Sequence, residues 1–281
     1  MHDLVGFIDN IHGVDIPGSG VDGDLTGYKE QVACLDRLII GADGVGGIAG
    51  FDDLFFHDTN IACSLQVEAC NMKIAVSGGL AFKKELESQK TTERLEWAWV
   101  DAVEDLQQHR DAHLYLDLDF RMEPVRIAAL GRLLPMPVMV NSVAGTLREI
   151  GQPFIRINAW PGFTQKSHHE LVAPDALTGE VIGQLYTRLG WQYRFVPDIP
   201  GMISARILAT IINEAYYTLQ EAVSTKEEID TAMKLGTNYP FGPFEWSRMI
   251  GLKNIDQLLR IMSRTDERYL PAKALQQELG D

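Results

Sequence analysis

A glycine-rich turn at the end of an apolar run is the simplest sequence device for holding a phosphate, and two such turns occur in this chain. Residues 77–82 read Ser-Gly-Gly-Leu-Ala-Phe, directly after the strand-like Lys73-Ile74-Ala75-Val76. In a dinucleotide-binding sheet the first loop needs glycines so that the backbone can approach the pyrophosphate. An acid about 20 residues later receives the ribose hydroxyl. Asp101, which closes the run Leu95–Val100, stands at that place. Gly78, Gly79 and Asp101 are therefore the cofactor-binding residues that the pattern selects. The full glycine fingerprint is not met, and an acid at a strand end also serves as a helix cap or a solvated charge. The second turn, Gly44-Val45-Gly46-Gly47-Ile48-Ala49, runs into Gly50-Phe51-Asp52-Asp53. That is a poor helix start, and it sets two carboxylates where phosphates would sit. Asp22-Gly23-Asp24-Leu25-Thr26-Gly27 opens like a calcium loop, but its twelfth position is Ala33 instead of a bidentate Glu, and it reads as an acidic turn. Cys34, Cys63 and Cys70 are odd in number and lack paired spacing, so neither a disulfide framework nor a metal site is expected.

The segments that must position these residues are of two kinds, joined near Met72. The 281 residues carry a net charge of −14. Residues 1–71 hold twelve acidic side chains against Lys29 and Arg37, and so account for −10 of it. They also hold 11 of the 25 glycines, all three cysteines and none of the five tryptophans. The sequence predicts a poorly ordered acidic, glycine-rich extension over 1–71, and the clean strand opening at Met72 makes that residue an alternative translation start. The acidic balance argues against nucleic acid and anionic membrane surfaces as partners, because both demand an excess of Lys and Arg. No apolar run reaches the roughly 18–20 residues that span a bilayer, and the first residues lack the basic and apolar regions of a secretory signal. A cytoplasmic protein is expected.

From Met72 to residue 196, apolar runs alternate with helical stretches. Lys73–Val76, Leu95–Val100, His113–Leu118 and Pro137–Val140 read as strands; the stretch around Lys83–Lys90, Ala102–Gln108 and Pro124–Leu134 read as helices. Such alternation predicts an α/β region with a mostly parallel sheet covered on both faces. Residues 197–281 read as an all-helical domain. Ile203, Ile207, Leu208, Ile211, Ile212 and Leu219 are spaced for one buried face. Ser224-Thr225-Lys226-Glu227 reads as a capping box, Gly236 as a helix stop, and Leu252–Met262 and Ala272–Leu279 as two more helices. The apolar surface exceeds what short helices bury alone, so packing against a second copy is expected.

Several of these segments carry a closer likeness. Asp198-Ile199-Pro200-Gly201-Met202-Ile203 through Arg206, Asn213-Glu214-Ala215, Glu228–Gly236, and Tyr239-Pro240-Phe241-Gly242-Pro243-Phe244 resemble the C-terminal domain of the 3-hydroxyacyl-CoA dehydrogenases. Upstream, Asn141-Ser142 resembles that family's Asn-Thr-Ser-Ser loop, and Ile157–Val172 its Gly-Leu-His-Phe-Phe-Asn-Pro segment. The likeness covers about residues 110–265 and leaves out residues 1–71. It implies a shortened Rossmann-like domain over 72–196, a helical domain over 197–281, NAD as cofactor, an acyl-CoA-like ligand and a homodimer formed through the helical domain.

The family oxidises a 3-hydroxyacyl-CoA: a histidine takes the hydroxyl proton as hydride leaves for the nicotinamide, and a glutamate twelve residues on orients the imidazole. Carried over, the glutamate position is Glu170, but the histidine position is Asn158. An amide titrates nowhere near neutrality, so Asn158 can hydrogen-bond a carbonyl but cannot act as a general base, at a cost of about 10²–10⁴ in rate. The family's serine falls near Ser142 or Val143, and its asparagine at Ala205, beside Ser204. The inferred catalytic set is thus Asn158, Glu170 and Ser142. His168 and His169 offer a relocated base, and Arg156 a partner that would make Glu170 merely a buried ion pair. Trp160 and Trp191 read as core residues of the sheet-to-helix contact. Two functions stay open: a dehydrogenase-like protein with a degraded catalytic site, or a non-catalytic homologue acting as a dimeric ligand-binding or regulatory module.

Overall fold

Runs of β-branched and other apolar residues, cut by Gly, Asp and Pro, alternate with helix-forming segments through the first half of the described chain. The computed structural model describes residues 72–166 and 168–280. The turns at Asp22 and Gly44, the three cysteines and the extension over 1–71 lie outside the described residues. The elements are β1 (Met72–Ser77), α1 (Leu80–Glu87), β2 (Leu95–Val100), a 3-10 turn (Val103–Gln108), β3 (Leu114–Asp117), α2 (Pro124–Gly131), β4 (Val138–Asn141), α3 (Leu147–Ile150), β5 (Ile155–Ile157), β6 (His168–Val172), α4 (Ala176–Leu189) and β7 (Gln192–Phe195). Five helices follow: α5 (Ser204–Gln220), α6 (Lys226–Thr237), α7 (Pro243–Ile250), α8 (Leu252–Ser263) and α9 (Lys273–Leu279).

The seven strands lie in the order β2-β1-β3-β4-β5-β6-β7. β1 to β5 run parallel, β6 is antiparallel to β5, and β7 is parallel to β6. The expected mostly parallel sheet is borne out. Alternation along each strand sorts its side chains to opposite faces. Ile74, Val76, Leu116, Met139 and Ile157 meet Leu86 of α1 and Ile182, Leu185 and Leu189 of α4 on one face. Ala75, Tyr115, Val138 and Val140 meet Leu106 and Leu130 on the other. Because β2 and β3 flank β1 on opposite sides, the chain changes direction across the sheet there. The carboxyl ends of β1 and β3 form the switch point at which α/β sheets bind ligands.

The helices pack around a separate apolar cluster that also takes in Val143, Trp160 and Phe163 from the sheet's carboxyl edge. The buried face of α5 differs from the one expected. Ala205, Leu208, Ala209, Ile212 and Tyr216 are buried, whereas Ile203 and Ile207 are exposed. Ile203, Ile207 and Ile211 repeat at four-residue intervals and so form a stripe beside the buried face rather than within it. The capping box of α6 is real but shifted by one residue: the Thr225 hydroxyl receives the Glu228 N–H, and Glu228 receives the Thr225 N–H. The helix ends with Asn238 in the left-handed region, two residues past the stop expected at Gly236.

Six elements have no counterpart among the expected ones: β5, β6, β7, α3, α4 and α7. Helix α4 carries Gly179 and Gly183 on the side that meets β7, where a Cβ on Gly183 would collide with the Tyr193 hydroxyl. Helix α7 starts at Pro243, whose missing N–H is harmless in a first turn. Its N-cap, Gly242, is fixed by a close approach: an added Cβ would overlap the Asp230 carboxylate. That carboxylate receives the Phe244 N–H at 2.8 Å and so joins α6 to α7.

Candidate functional site

The carboxyl edge of the sheet collects the residues singled out from the sequence, but into two separate places. The first is a cavity of about 670 Å³. Its walls are Phe82 of α1, the loop 118–123 after β3, residues 141–145 after β4, Trp160 and Pro161 after β5, and Asn254 and Gln257 of α8. Ser142 lines it, with its buried hydroxyl donating to the Gly145 carbonyl at 3.0 Å. Asn141 beside it is fully used: it donates to the Leu118 and Ala159 carbonyls and accepts the Ala159 N–H. This one amide therefore ties the carboxyl ends of β3, β4 and β5 together.

The second place lies between β5, β6 and the start of α5. Asn158 is buried, its N–H donates to the Glu170 carbonyl at 3.2 Å, and its Nδ2 donates to the Ser204 hydroxyl at 3.3 Å. Its Oδ1 has no hydrogen-bond partner among the described residues. The Glu170 carboxylate receives the N–H groups of Ile203 and Ser204, at 3.0–3.3 Å. A carboxylate at that position satisfies the otherwise orphaned first amides of α5 and sits at the positive end of its dipole. Asn158 and Glu170 thus meet through Ser204 rather than side chain to side chain, and neither lines the cavity that Ser142 faces. Ala205, on the next helix position, is fully buried in the helical cluster.

The suggested Glu170–Arg156 pair does not form. Arg156 is fully buried and spends its guanidinium elsewhere: Nε donates to the Ser142 carbonyl at 2.9 Å, Nη2 to the Val143 carbonyl at 3.1 Å, and Nη1 to Asp198 at 2.5 Å. Asp198 in turn receives the Leu147 N–H that opens α3. Arg156 therefore fixes the cavity wall at residues 142–143 against the segment leading into α5. It stands as the lone charge within the apolar run Phe154-Ile155-Arg156-Ile157, a signal that a buried partner exists. His169 points to the opposite sheet face. Its Nδ1 lies 3.2 Å from the Tyr186 hydroxyl, its Nε2 lies 3.2 Å from the Thr164 carbonyl, and burial lowers its pKa. His168 is exposed on β6. His169 makes no hydrogen bond to Asn158. Trp160 belongs to the helical cluster, as expected, while Trp191 packs on the sheet against Tyr186 and Trp97.

At the switch point itself, Asp117 of β3 is fully buried and receives Nε and Nη2 of Arg126 at 2.7 and 2.5 Å. Gly78 follows β1 and packs tightly on Leu118, where a Cβ would come within 3.0 Å of the Leu118 Cβ. Gly79 caps α1 with nothing near it, and Asp101 is exposed at the end of β2.

This layout meets independent likenesses. Residues 201–281 match the family model of the 3-hydroxyacyl-CoA dehydrogenase C-terminal domain. Over these residues the chain is similar to the 3-hydroxyacyl-CoA dehydrogenases. It is 36% identical to the 3-hydroxyadipyl-CoA dehydrogenase of Escherichia coli K12, over 46% of this chain and 27% of that enzyme. It is 39% identical to the 3-hydroxybutyryl-CoA dehydrogenase of Bradyrhizobium diazoefficiens, over 37% of this chain and 36% of that enzyme. The matches thus span between a quarter and two fifths of these curated relatives. Among solved structures, the (S)-3-hydroxybutyryl-CoA dehydrogenase PaaH1 of Ralstonia eutropha superposes with a TM-score of 0.55 at 23% identity, covering 66% of this chain and 70% of that one. FadB2 of M. tuberculosis superposes at 0.61 with 15% identity, covering 75% and 93%. At such identities the superpositions establish a shared fold.

The dehydrogenase family uses NAD, and the residues here fit that cofactor poorly. With Gly78 as first glycine of the fingerprint, the second position is Leu80 and the third is Lys83. Leu80 is 78% exposed at the first turn of α1, so a branched side chain stands where the backbone would have to meet the pyrophosphate. β2 is also the sheet edge among the described residues, whereas the full dinucleotide-binding order continues one strand beyond it. Gly78 and Asp101 alone keep their places.

Proposed function

We propose that this chain is a 3-hydroxyacyl-CoA dehydrogenase homologue that binds an acyl-CoA-like ligand without oxidising it by the family's route. One observation carries the proposal. The family's histidine position holds Asn158, an amide tied to Ser204, while the Glu170 carboxylate that would orient an imidazole is committed to the first amides of α5. With no base at this position, proton removal from a hydroxyl by the family's route lacks its acceptor. Dehydrogenase turnover with NAD is the second reading, favoured by Asp101 at the carboxyl end of β2.

The helical part supports a homodimer. Ile203 and Ile207 are exposed on α5, with Ile199 just before it, forming an apolar strip next to the buried face. No helix among the described residues is long and apolar enough to cross a membrane. A cytoplasmic location completes the proposal, supported by cysteines whose number and spacing suit a reducing compartment.

NADH oxidation with acetoacetyl-CoA, followed for the native chain and for Asn158→His, tests the function. The native chain is expected to show no turnover. Native turnover within about 10²-fold of the variant would overturn the proposal, since that is the smallest loss expected from a missing base. Turnover confined to Asn158→His would leave it standing and identify the base as the missing part.

A further inference from the structure

The turn between β5 and β6 is clasped to α1. Glu85 receives the Gly162 N–H at 3.0 Å and the Thr164 hydroxyl, and Gln89 donates to the Thr164 carbonyl. The same turn carries Trp160 and Phe163 into the helical cluster, so it joins α1 to the helices beside the cavity. Thr164 is fully buried, and its carbonyl also meets His169 Nε2 at 3.2 Å. Gln89 Nε2 lies 3.3 Å from that ring nitrogen, as both converge on the one carbonyl. With Nε2–H donating to Thr164, Nδ1 accepts from the Tyr186 hydroxyl at 3.2 Å. The neutral imidazole is thus bonded at both nitrogens while it packs edge-on against Tyr186 and Trp191.

An imidazolium fits the same place badly. Its added Nδ1–H would face the Tyr186 hydroxyl, whose proton would have to turn to the Met139 sulfur 3.8 Å away, a weak acceptor. No counter-charge is in place for it either. Glu85 of α1 is committed to Gly162 and Thr164, and the Glu170 carboxylate serves the amides of α5. The other titratable neighbours are His168 beside it in β6, Tyr193 across from it on β7, Tyr186 of α4, and Lys166, whose ammonium lies over the Phe163 ring. A buried cation without a partner is costly, and leaving the pocket relieves it. We infer that His169 is a pH-sensitive catch: as the neutral imidazole it holds the turn 160–166 closed on α1, and on taking up a proton it lets go of Thr164 and the clasp opens. Burial, which lowers the pKa of His169 from 6.5, acts in the same direction. Opening therefore takes up a proton, and below the ordinary value it becomes about tenfold easier per pH unit until the closed ring itself titrates. The catch works whichever ligand the cavity takes, so its failure leaves the proposed function untouched.

Amide hydrogen exchange on the full chain, followed by mass spectrometry at about pH 7.5 and about pH 5 with intrinsic rates divided out, tests it. A peptide spanning residues 160–166 contains the Gly162 N–H, and one spanning β4 in the sheet core serves as reference. Protection of 160–166 is expected to fall about tenfold or more at the lower pH relative to the reference. In His169→Gln it is expected to stay level, because the amide can donate to Thr164 and accept from Tyr186 without titrating. His169→Phe, which keeps an aromatic ring in the pocket, is expected to be level too and covers the case in which the glutamine variant does not fold. Protection that follows the reference in the native chain overturns the inference, and so does an undiminished fall in either folded variant.

Discussion

Arg156 shows how one residue can matter to a site it does not touch from the solvent side. Its guanidinium reaches two carbonyls of the cavity wall and the Asp198 carboxylate from a position of zero exposure. Arg156→Met would strand those carbonyls and leave Asp198 without its partner. We expect a loss of about 3 kcal/mol in urea unfolding, at the low end for a broken buried pair because Asp198 keeps some access to water. His169 carries a different signature. Burial lowers its pKa below the ordinary value of 6.5, so the unfolded chain takes up a proton at a pH where the folded chain does not. Its contribution is complete above the unfolded value and is lost as the pH falls through it, down to the folded value. His113, half-buried near Lys73, shifts the same way for the same reason. The urea midpoint should therefore decline on going from about pH 7.5 to about pH 5.5. His169→Phe should flatten that decline in part, leaving the share owed to His113; an unchanged slope would show that the imidazole titrates alike in both states.

At the scale of elements, the α6–α7 junction depends on the missing side chain at Gly242. Gly242→Ala drives a Cβ into Asp230, whose carboxylate holds the Phe244 N–H. The expected cost is about 3 kcal/mol, read from the thermal midpoint, with far-UV helicity retained. This element was legible in the sequence only as a motif, Tyr239–Phe244, because Pro and Gly side by side look like a turn before they look like a helix start. Strands β1 to β4 were legible because each is an apolar run cut by a Gly, Asp or Pro. β5 was hidden by Arg156, a charge that reads as surface until its partners are known. α4 was hidden by Gly179 and Gly183, residues that weaken a helical pattern yet are what lets the helix sit close to Tyr193 and Phe195. Along α5 the apolar period was clear, but six apolar positions were assigned to one face where the helix divides them between a buried face and a bare stripe. Of the site, the Asn158 and Glu170 positions were visible through the family likeness. The bond from Asn158 to Ser204 and the capping role of Glu170 were not, since each depends on how β5, β6 and α5 converge; nor was the cavity, whose walls come from five separate segments.

For the whole molecule, the bare stripe on α5 predicts association. Ile207→Glu should convert a dimer to a monomer in sedimentation velocity without shifting the thermal midpoint of the separated chain; a native chain already monomeric at tens of micromolar would refute the dimer. The joint between the sheet and the helices carries a further consequence. The Gly201 N–H meets the Val143 carbonyl at 2.8 Å, Arg156 reaches the Ile199 carbonyl, Asp198 holds the Leu147 N–H, and Glu170 holds Ile203 and Ser204. Four separate ties across a stretch of seven residues leave no backbone torsion there free to act as a pivot. The cavity therefore has a fixed aperture. On the proposed ligand-binding reading, ligand exchange is expected to follow rotamer jumps of exposed side chains at its mouth, on the nanosecond scale of such motions, and not slow closure of one half of the molecule onto the other.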